Sequence, residues 1–421
     1  MRSYLSRLPN ADLPDVALEA DLRPVPVIPP DDDDLIRPDQ EDELGNVNER
    51  ALASGKPTAL AKYLIWTFGP DNQALPFHLQ MRMEIEHDLI MSCDSEIGWR
   101  HQGIEKELEG RSYENILQVL ARVHPRDPSA LRLAFLLAVE RSLGIDKDIP
   151  RRAQLWRMLI AELSRIAEHL LVLESVLRKD RRAGRFLRDL ATKAQRLVEL
   201  AQVKEGALLL CVGGLIDEPG PSITDNIRAT LEDLVEGLRL FAERQKNNPW
   251  LRSQVGRLDL EDAIALAVKG PALRACGKVH DIRLSDPYFC YLECSPPVAV
   301  RTGGGVGARL NIRLDEIFSS AGLIARLQSA LAEAPVQVCL PKDQLDAAKP
   351  IAFQSASIEA PAGELSFSLA HDEQGALMRV RIRSPSFFLA QSIGTLLLDQ
   401  RLDDVLPILR SLGIVSGEVD R

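Results

Sequence analysis

The sequence predicts a mainly α-helical (α+β) protein, in which a helical bundle is flanked by small antiparallel β-hairpins. Two observations predict this fold class. Long segments from about residue 128 onward carry apolar residues at helical spacing, and shorter segments alternate apolar and polar residues around polar turns, as half-buried hairpins do. A length of 421 residues is enough for two to three domains of about 150 residues each, or for one large domain with an arm.

The first 57 residues are predicted to form an acidic, proline-rich arm. Residues 1–50 hold thirteen acidic residues and five arginines, which is a net charge of −8 out of −10 for the whole chain, and seven of the 26 prolines. Like charges repel and proline blocks regular backbone hydrogen bonding, so this segment cannot bury enough apolar surface to become ordered. We predict a disordered, solvated tail over residues 1–57, and a strap that binds a basic neighbour is the alternative.

An antiparallel β region is predicted for residues 58–96. Leu60–Phe68 is rich in strand-forming residues and is followed by Gly-Pro. From Leu79 to Ile85 apolar and polar residues alternate, and a polar turn at 86–88 leads into a second apolar segment. This pattern indicates a half-buried hairpin.

A helical bundle core is predicted for residues 97–335, and an α+β region for residues 336–421. The predicted helices of the core are Pro128–Gly144, Arg151–Arg178, Phe186–Val203, Thr224–Gln245 and Arg309–Glu333. In the C-terminal region, alternating segments at 364–369 and 376–383 surround an Asp-Glu-Gln-Gly turn and predict a second hairpin. A last helix is expected at about 402–412.

Composition excludes several classes of function. Six cysteines in 421 residues are too few for a disulfide scaffold and suit a reducing compartment. The negative net charge and an aromatic content of 5% argue against a nucleic-acid partner. No run approaches the ~18 consecutive apolar residues of a membrane-spanning helix, and no signal-peptide core is found. A soluble, intracellular protein is therefore expected.

Taken alone, the residues indicate no autonomous catalytic site. The cysteines, of which only Cys290 and Cys294 are close in sequence, are expected to be small buried thiols, because a zinc or iron–sulfur site needs three or four ligands. The glycine run at 303–307 fits either a phosphate cradle or a tight turn before the next helix. His169, with Glu162 and Arg165 upstream on a similar helix face, is expected to be a hydrogen-bonded packing residue.

Several motifs occur in one order between about residue 69 and the C-terminus: Ile97-Gly-Trp-Arg-His-Gln-Gly-Ile-Glu-Lys106, Ala138-Val-Glu-Arg-Ser-Leu-Gly-Ile145, Ile149-Pro-Arg-Arg-Ala-Gln154, Ala161-Glu-Leu-Ser-Arg-Ile-Ala-Glu-His-Leu170, Glu261-Asp-Ala-Ile-Ala-Leu266, Gly270-Pro-Ala-Leu-Arg-Ala-Cys-Gly277, Arg381-Ile-Arg-Ser-Pro-Ser-Phe387 and the last eleven residues. They resemble the motifs of the D subunit of the proton-pumping NADH:quinone oxidoreductase (respiratory complex I), a relative of the large subunit of NiFe hydrogenases. The resemblance implies a fold of the NiFe-hydrogenase large-subunit type.

Cysteine positions separate the two branches of this family. The hydrogenase branch binds nickel and iron through two C-x-x-C pairs, one early and one near the C-terminus. This chain has only Cys93 in the early region and no cysteine after Cys339, so a binuclear metal site cannot be built. The resemblance therefore implies the complex I branch, and the chain is expected to bind no metal or flavin itself.

In that family this polypeptide forms one wall of the quinone-headgroup cavity and covers the terminal Fe–S cluster of a partner subunit. The resemblance thus implies a component of electron transfer from NADH, through FMN and Fe–S clusters in partner subunits, to quinone as substrate. The implied partners are other complex I subunits, especially the Fe–S subunit with the terminal cluster, the adjacent peripheral-arm subunit and a membrane subunit. The implied location is peripheral, on the cytoplasmic side of the inner (cell) membrane.

The chain departs from the family at the quinone site. A gapless alignment puts Asn72 and Pro76 where the family motif G-P-Q-H-P-x-x-H-G has its two histidines, and His78 fits only after a two-residue shift. The Asp-Tyr pair of the family corresponds to His124 and Pro125. Neither proline can donate a proton to a quinone carbonyl.

Two further departures concern the surroundings of the cluster. The Arg of the family's H-R-G motif is Gln102 here, after His101, and the segment at about 206–211 lacks the family's histidines. We predict quinone chemistry that is weakened, rewired through His101 and His124, or lost. The alternatives are packing for His101 and a helix end for His124, and, for the whole chain, a non-catalytic structural paralogue that docks the Fe–S subunit or an interaction protein that retains only the fold.

Overall fold

The structure is a computed structural model that describes residues 63–68 and 78–421. The predicted acidic arm at 1–57 lies outside these residues. The mainly α-helical fold class is confirmed, since helices dominate the described chain and its strands form only small antiparallel sheets. Within these ranges no helix combines the length and the apolar composition needed to cross a membrane.

Three long helices form the centre of the protein, and α4 packs along both α5 and α10. In chain order the helices are α1 Ile104–Leu108, α2 Tyr113–Val123, α3 Ser129–Leu143, α4 Arg151–Leu177, α5 Arg181–Gln202, α6 Pro221–Gln245, α7 Leu260–Ala265, α8 Gly270–Ala275, α9 Ile282–Ser285, α10 Val306–Glu333, α11 Lys342–Ala347, α12 Pro385–Gln391, α13 Ile393–Leu397, α14 Leu402–Leu412 and α15 Ser416–Val419.

The predicted long helices are confirmed, although three of them begin earlier than expected. Helix α5 begins at Arg181 instead of Phe186, because the carboxylate of Asp180 accepts hydrogen bonds from the backbone N–H groups of Arg182 at 3.0 Å and Ala183 at 3.2 Å. A side chain that satisfies these free donors fixes the first turn of a helix. Helix α3 ends, as predicted, at Gly144, whose φ of 71° places it in the left-handed region that glycine favours.

The first sheet contains β1 Tyr63–Phe68, β2 Leu79–Glu86 and β3 Leu89–Glu96 in the order β1-β2-β3, all antiparallel. Its predicted hairpin is confirmed: the turn between β2 and β3 consists of His87 and Asp88, with φ values of 49° and 68°. The apolar side of β2 is buried against the bundle. Two short ribbons follow in the chain, formed by β4 Val203–Lys204 with β5 Ala207–Leu208 and by β6 Leu210–Cys211 with β7 Gly214–Leu215.

The C-terminal sheet has one strand more than the sequence predicted. Its strands are β8 Phe353–Ala360, β9 Gly363–His371 and β10 Leu377–Arg383, with β9 in the middle. The pair β9–β10 is the predicted hairpin. Strand β8 was not predicted because its sequence, FQSASIEA, is rich in serine and alanine and offers a weak strand signal.

Buried charged residues connect α4 with the elements packed around it. This core ion network consists of Glu162, Arg165 and His169 on α4, Arg274 on α8, Asp281 and Arg283 at α9, Arg313 and Glu316 on α10 and Glu359 on β8. Arg274 donates to Glu359 at 2.7 Å and to Glu316 at 3.0 Å, and Arg283 donates to Glu162 at 3.0 Å. Most of these charges can be buried so deeply because they have a partner of opposite charge, whereas Arg313 donates to His169 and to the carbonyl of Leu412.

His169 is the hydrogen-bonded packing residue that the sequence predicted, and it is fully buried. Its partners come from α10 and not from α4: Nε2 lies 2.8 Å from a carboxylate oxygen of Glu316, and Arg313 Nη1 donates to Nδ1 at 3.1 Å. A ring nitrogen that accepts a hydrogen bond carries no proton, so the ring is neutral and its proton is on Nε2.

Candidate functional site

The loop that carries His101 and Gln102 is held by the C-terminal tail of the chain. The backbone N–H of Gln102 donates to the carbonyl oxygen of Asp420 at 2.9 Å, and the N–H of Arg100 donates to the Asp420 carboxylate at 3.3 Å. His101 is exposed. Burial raises the pKa of Asp420, while the Arg100 N–H and the charges of His78, Arg100 and His101 act in the opposite direction. His78 and His101 therefore lie close enough to the C-terminal tail for their charges to act on Asp420.

Gln102, in the loop before α1, lies beside the positively charged guanidinium of Arg122, which belongs to helix α2. Its side-chain oxygen accepts a hydrogen bond at 3.4 Å from Arg122, near the end of α2. Arg122 is fixed in turn by Glu107 of α1, at 2.6 Å. The substitution at position 102 thus removes one guanidinium from this loop while a second guanidinium remains next to it.

His124 ends helix α2, which is one of the two roles that the sequence predicted for it, and its side chain is buried. Nδ1 accepts a hydrogen bond at 3.1 Å from the backbone N–H of Asp127, and Nε2 lies 3.6 Å from Oε1 of Glu168 on α4. Burial lowers the pKa of His124, but the carboxylates of Glu168, Asp127 and Glu418 outweigh it and raise the pKa above its ordinary value. The hydrogen bond from the Asp127 N–H is lost when Nδ1 is protonated, because a protonated ring nitrogen cannot accept.

A small cavity of about 20 Å³ lies next to this pair. It is lined by His124, Asp127, Glu168, Arg313 and Glu418 among others. Three buried polar atoms of these residues, Asp127 Oδ2, Glu168 Oε1 and Arg313 Nε, have no hydrogen-bond partner in the described part of the chain. A volume of roughly 10–15 Å³ is enough for one water molecule, and a water there can donate to the two carboxylates and accept from the guanidinium.

The loop of His101 and the cavity of His124 both contact the last turn of the chain. The tail at 416–421 supplies Asp420 to the loop of His101 and Glu418 to the cavity of His124. It is held in place because Gly417 packs on the carbonyl of Val123, where an added Cβ would lie 2.0 Å from the oxygen. The two predicted histidines are thus linked through one short segment.

Of the other predicted positions, Pro125 is the one that the structure describes. Pro125 follows His124 on the surface and is exposed. Asn72 and Pro76 lie outside the described residues, so the predicted position of the family's first motif remains a prediction. Glu168, Glu418 and Arg122 were missed. No signal in the sequence pointed to Glu168, which lies between Ala167 and His169 on α4 and meets His124 only in the folded chain.

The glycine run at 303–307 forms a tight turn and no phosphate cradle. The N–H of Gly304 donates to the carbonyl of Ala275 at 2.9 Å, and the N–H of Gly307 donates to that of Ser253 at 2.9 Å. Backbone donors that are already paired are not free to bind a phosphate. Across the described residues, no three His, Cys, Asp or Glu side chains are grouped so as to hold a metal ion.

Comparison with known proteins agrees with the motifs. The family described as the respiratory-chain NADH dehydrogenase 49 kDa subunit matches residues 206–355 and 346–421. The NADH-quinone oxidoreductase D 2 subunit of Rhizobium etli (strain CIAT 652) is 30% identical over 415 residues, which cover 90% of this chain and 100% of the relative. The chain belongs to the 49 kDa subunit family of the respiratory-chain NADH dehydrogenase. The D subunit of the Geotalea uraniireducens enzyme is 30% identical over 387 residues (84% of this chain, 97% of the relative), and that of Salinibacter ruber is 28% identical over 415 residues (88% and 90%).

The resemblance to the complex I protein is therefore confirmed. As a member of this family the chain is a component of an NADH-quinone oxidoreductase, which is an assembly of several subunits.

Proposed function

We propose that this subunit covers the terminal Fe–S cluster of a partner subunit and forms part of the quinone cavity. Electrons from NADH then reach the quinone through FMN and Fe–S clusters held by partner subunits, and this chain holds none of these cofactors. Its partners are the Fe–S subunit with the terminal cluster, the adjacent peripheral-arm subunit and a membrane subunit, on the cytoplasmic face of the membrane. Family membership supports this assignment.

Reduction of a quinone to a quinol takes two electrons and two protons, and the electrons come from the cluster. The observation that carries our proposal for the protons is the pair of buried His124 and half-buried Glu168, beside a cavity whose lining includes polar atoms without a partner among the described residues. In our proposal His124 takes over the proton supply at a position where Pro125 has no proton to give. Glu168 and Glu418 return a proton to the ring through the cavity, because both carboxylates line it.

The exposed loop of His101 and Gln102 is proposed to face the Fe–S subunit. Arg122 supports this role, because its guanidinium lies beside Gln102 and a nearby cation favours the reduced, more negative form of a cluster. A cation on α2 thus replaces part of the effect of the arginine that is missing from the loop.

One observation favours a second candidate, a structural paralogue that docks the Fe–S subunit without quinone turnover. Nε2 of His124 faces Glu168 in the interior of the chain, and the neighbouring exposed residue is Pro125. In this candidate the pair only stabilises the end of α2. The two candidates differ in whether the assembled complex reduces quinone, and in whether neutralising His124 or Glu168 lowers that rate.

The test uses the assembled complex with His124→Gln and, separately, Glu168→Gln. We expect the rate of NADH:quinone reduction to fall at least about tenfold, in line with the loss of a positioned proton donor. NADH oxidation by an artificial acceptor that takes electrons from the flavin stays unchanged. His87→Gln, an exposed histidine in the β2–β3 turn, is the matched control. If the wild-type complex reduces quinone and neither variant changes the rate, the pair does not supply the protons. A wild-type complex that passes electrons to the artificial acceptor but reduces no quinone supports the structural paralogue.

Two further variants probe the proposed cavity and the proposed cluster contact. Pro125→Tyr restores a phenol beside His124 and should change the quinone rate. Gln102→Arg adds a positive charge and should raise the midpoint potential of the terminal cluster, followed by redox titration of its paramagnetic signal. A potential that does not move shows that position 102 lies away from the cluster.

A further inference from the structure

Two distant segments of the chain meet at the β6–β7 ribbon. The N–H of Leu215 donates to the carbonyl of Val338 at 2.8 Å, and the N–H of Leu340 donates to the carbonyl of Gly213 at 3.0 Å. Gly214 makes this approach possible: its φ is +143°, and an added Cβ would lie 2.1 Å from the carbonyl oxygen of Val338. The segment at 338–340 is therefore fixed against the ribbon through its backbone.

This arrangement brings two thiols together. Gly214 pairs with Cys211 on one side and with Cys339 on the other, so no side chain separates the two cysteines. Their sulfur atoms are 4.0 Å apart although the residues are 128 positions apart in sequence. Both are free and partly exposed, which leaves them accessible to small reagents.

A buried cation lies beneath the pair. Arg157 is fully buried and bound to Glu140 at 2.7 Å, and its Nη2 donates to the carbonyl oxygens of Cys211 at 2.8 Å and Gly214 at 3.0 Å. A fixed guanidinium next to a thiol favours the thiolate, which is the reactive form. Cys276 shows the opposite arrangement, because its thiol donates to the carbonyl of Leu258 and remains protonated there.

We propose that Cys211 and Cys339 are a reversible dithiol–disulfide site that reacts with low-molecular-weight disulfides of the glutathione type. The two sulfur atoms must approach from 4.0 Å to about 2.05 Å, which takes rotation of the side chains and a shift of the segment at 338–340 that lengthens its backbone hydrogen bonds to the ribbon. The site does not depend on the proposed role at the quinone cavity. When oxidised, it joins strand β6 covalently to the segment that follows α10.

The reaction proceeds by two exchanges. The hydrogen bond from the Cys211 thiol, supported by the Leu340 N–H and Arg157, lowers the pKa of Cys339 to about 7 despite its partial burial, so Cys339 attacks first. Its thiolate forms a bond to one sulfur of the small disulfide and releases the other half as a thiol. Cys211 then loses its proton, attacks the Cys339 sulfur and releases the second half. The two cysteines lose two electrons and two protons, and the small disulfide becomes two thiols.

The experiment treats the purified full chain with oxidised glutathione, blocks remaining thiols and analyses the unreduced digest by mass spectrometry. We expect a peptide that joins positions 211 and 339, a mass decrease of about 2 Da for the two hydrogens lost, and complete reversal by dithiothreitol. This cross-link should form at least tenfold faster than any other cysteine pair. Cys290→Ser is the matched control and should leave the cross-link intact.

Single substitutions separate the two roles. Cys211→Ser should accumulate a mixed glutathione disulfide at Cys339, because the resolving thiol is gone, whereas Cys339→Ser should leave Cys211 unmodified on the same timescale. The proposal is overturned if the wild-type chain retains glutathione on Cys339 with Cys211 free, forms another cross-link first, or shows no reaction at either residue. The wild-type measurement decides the question even if a variant fails to fold.

Discussion

The pH dependence of folding should be dominated on its acid side by His169. This residue is fully buried, accepts a hydrogen bond from Arg313 and lies 2.8 Å from the Glu316 carboxylate, to which its Nε2 proton points. Burial, together with the charges of Arg313 and Arg165, lowers the pKa of His169 to about 4 although Glu316 acts in the opposite direction. Protonation in the folded state would put a proton on Nδ1, where Arg313 already points a donor.

The direction in which stability changes with pH depends on whether the folded or the unfolded state binds the His169 proton more tightly. The unfolded chain has the ordinary histidine pKa of about 6.5, so below that pH the unfolded state takes up a proton that the folded state does not. Stability is therefore fully present above pH ~6.5 and is lost as the pH falls toward 4. A decrease from 6.5 to about 4 is worth about 3 kcal/mol in total at 1.36 kcal/mol per unit, and about 2 kcal/mol of it falls between pH 7 and pH 5.

The assay is urea unfolding of the full chain at pH 7, 6 and 5, compared with the variant His169→Gln. The glutamine amide can still accept from Arg313 and donate to Glu316, but it does not titrate. We expect the variant to be less stable at pH 7, since a smaller side chain replaces a packed ring, and its free energy of unfolding to fall less steeply with acid. The stability gap between the two proteins should close by about 2 kcal/mol from pH 7 to pH 5.

The exposed residue His87 provides the control, because His87→Gln removes an imidazole from the β2–β3 turn without touching the core. Its profile should follow that of the wild type. Parallel profiles for the wild type and His169→Gln would refute the reasoning, because the buried ring would then contribute no pH dependence and could not be neutral in the folded state.

Three further predictions follow from packing and composition. Gly214→Ala should destabilise the chain by about 2–4 kcal/mol, since its Cβ would lie 2.1 Å from a carbonyl oxygen. Gly322→Ala in α10, where an added Cβ meets nothing within 4 Å, should instead stabilise the chain by about 0.5–1 kcal/mol. Urea unfolding measures both changes. Arg157→Met should cost about 3–5 kcal/mol by leaving Glu140 buried without its partner, and adding Glu140→Leu should restore most of that loss. Removing residues 1–57 should leave the melting temperature unchanged, and a large drop would show that the arm is packed.

The long helices could be predicted from the sequence because their signals are local. Apolar residues at helical spacing and end signals such as Gly144 lie within the helix itself, so α3, α4 and α14 were found with nearly correct ends. Strand β8 was missed because a serine- and alanine-rich segment becomes a strand only through its pairing with β9, which begins three residues later. The short helices α12, α13 and α15 are likewise stabilised by packing and carry little signal of their own.

The candidate site was predicted only in part, for a related reason. Gln102 and His124 were identified because they stand where the family motifs have other residues, and His101 because it is the histidine of the motif that contains Gln102. Their partners were not, because Glu168 and Glu418 meet His124 only after the chain has folded. A histidine at a helix end has no local feature that distinguishes a simple cap from one side of a buried ion pair. The distinction depends on contacts between residues far apart in sequence.

The positions of the family motifs explain how a scaffold can persist while its reactive residues change. The motif on α4 supplies Glu162, Arg165 and His169, all fully buried in the core ion network. Removing one partner from such a network typically costs about 3–5 kcal/mol, a large part of the total stability of a domain. Gln102 and His101 are exposed, where a substitution usually changes stability by no more than about 0.5 kcal/mol.

These two kinds of motif residue therefore report different properties. A match at the buried positions identifies the fold, because changing one residue of the network leaves its partner buried and unpaired. It carries little information about quinone chemistry, since none of those side chains is accessible to a substrate. The chemistry has to be judged at the exposed loop and at the His124 cavity, where the motifs predict that this chain differs from its family. For that reason the variants His124→Gln and Glu168→Gln are a stronger test of function than any degree of sequence identity.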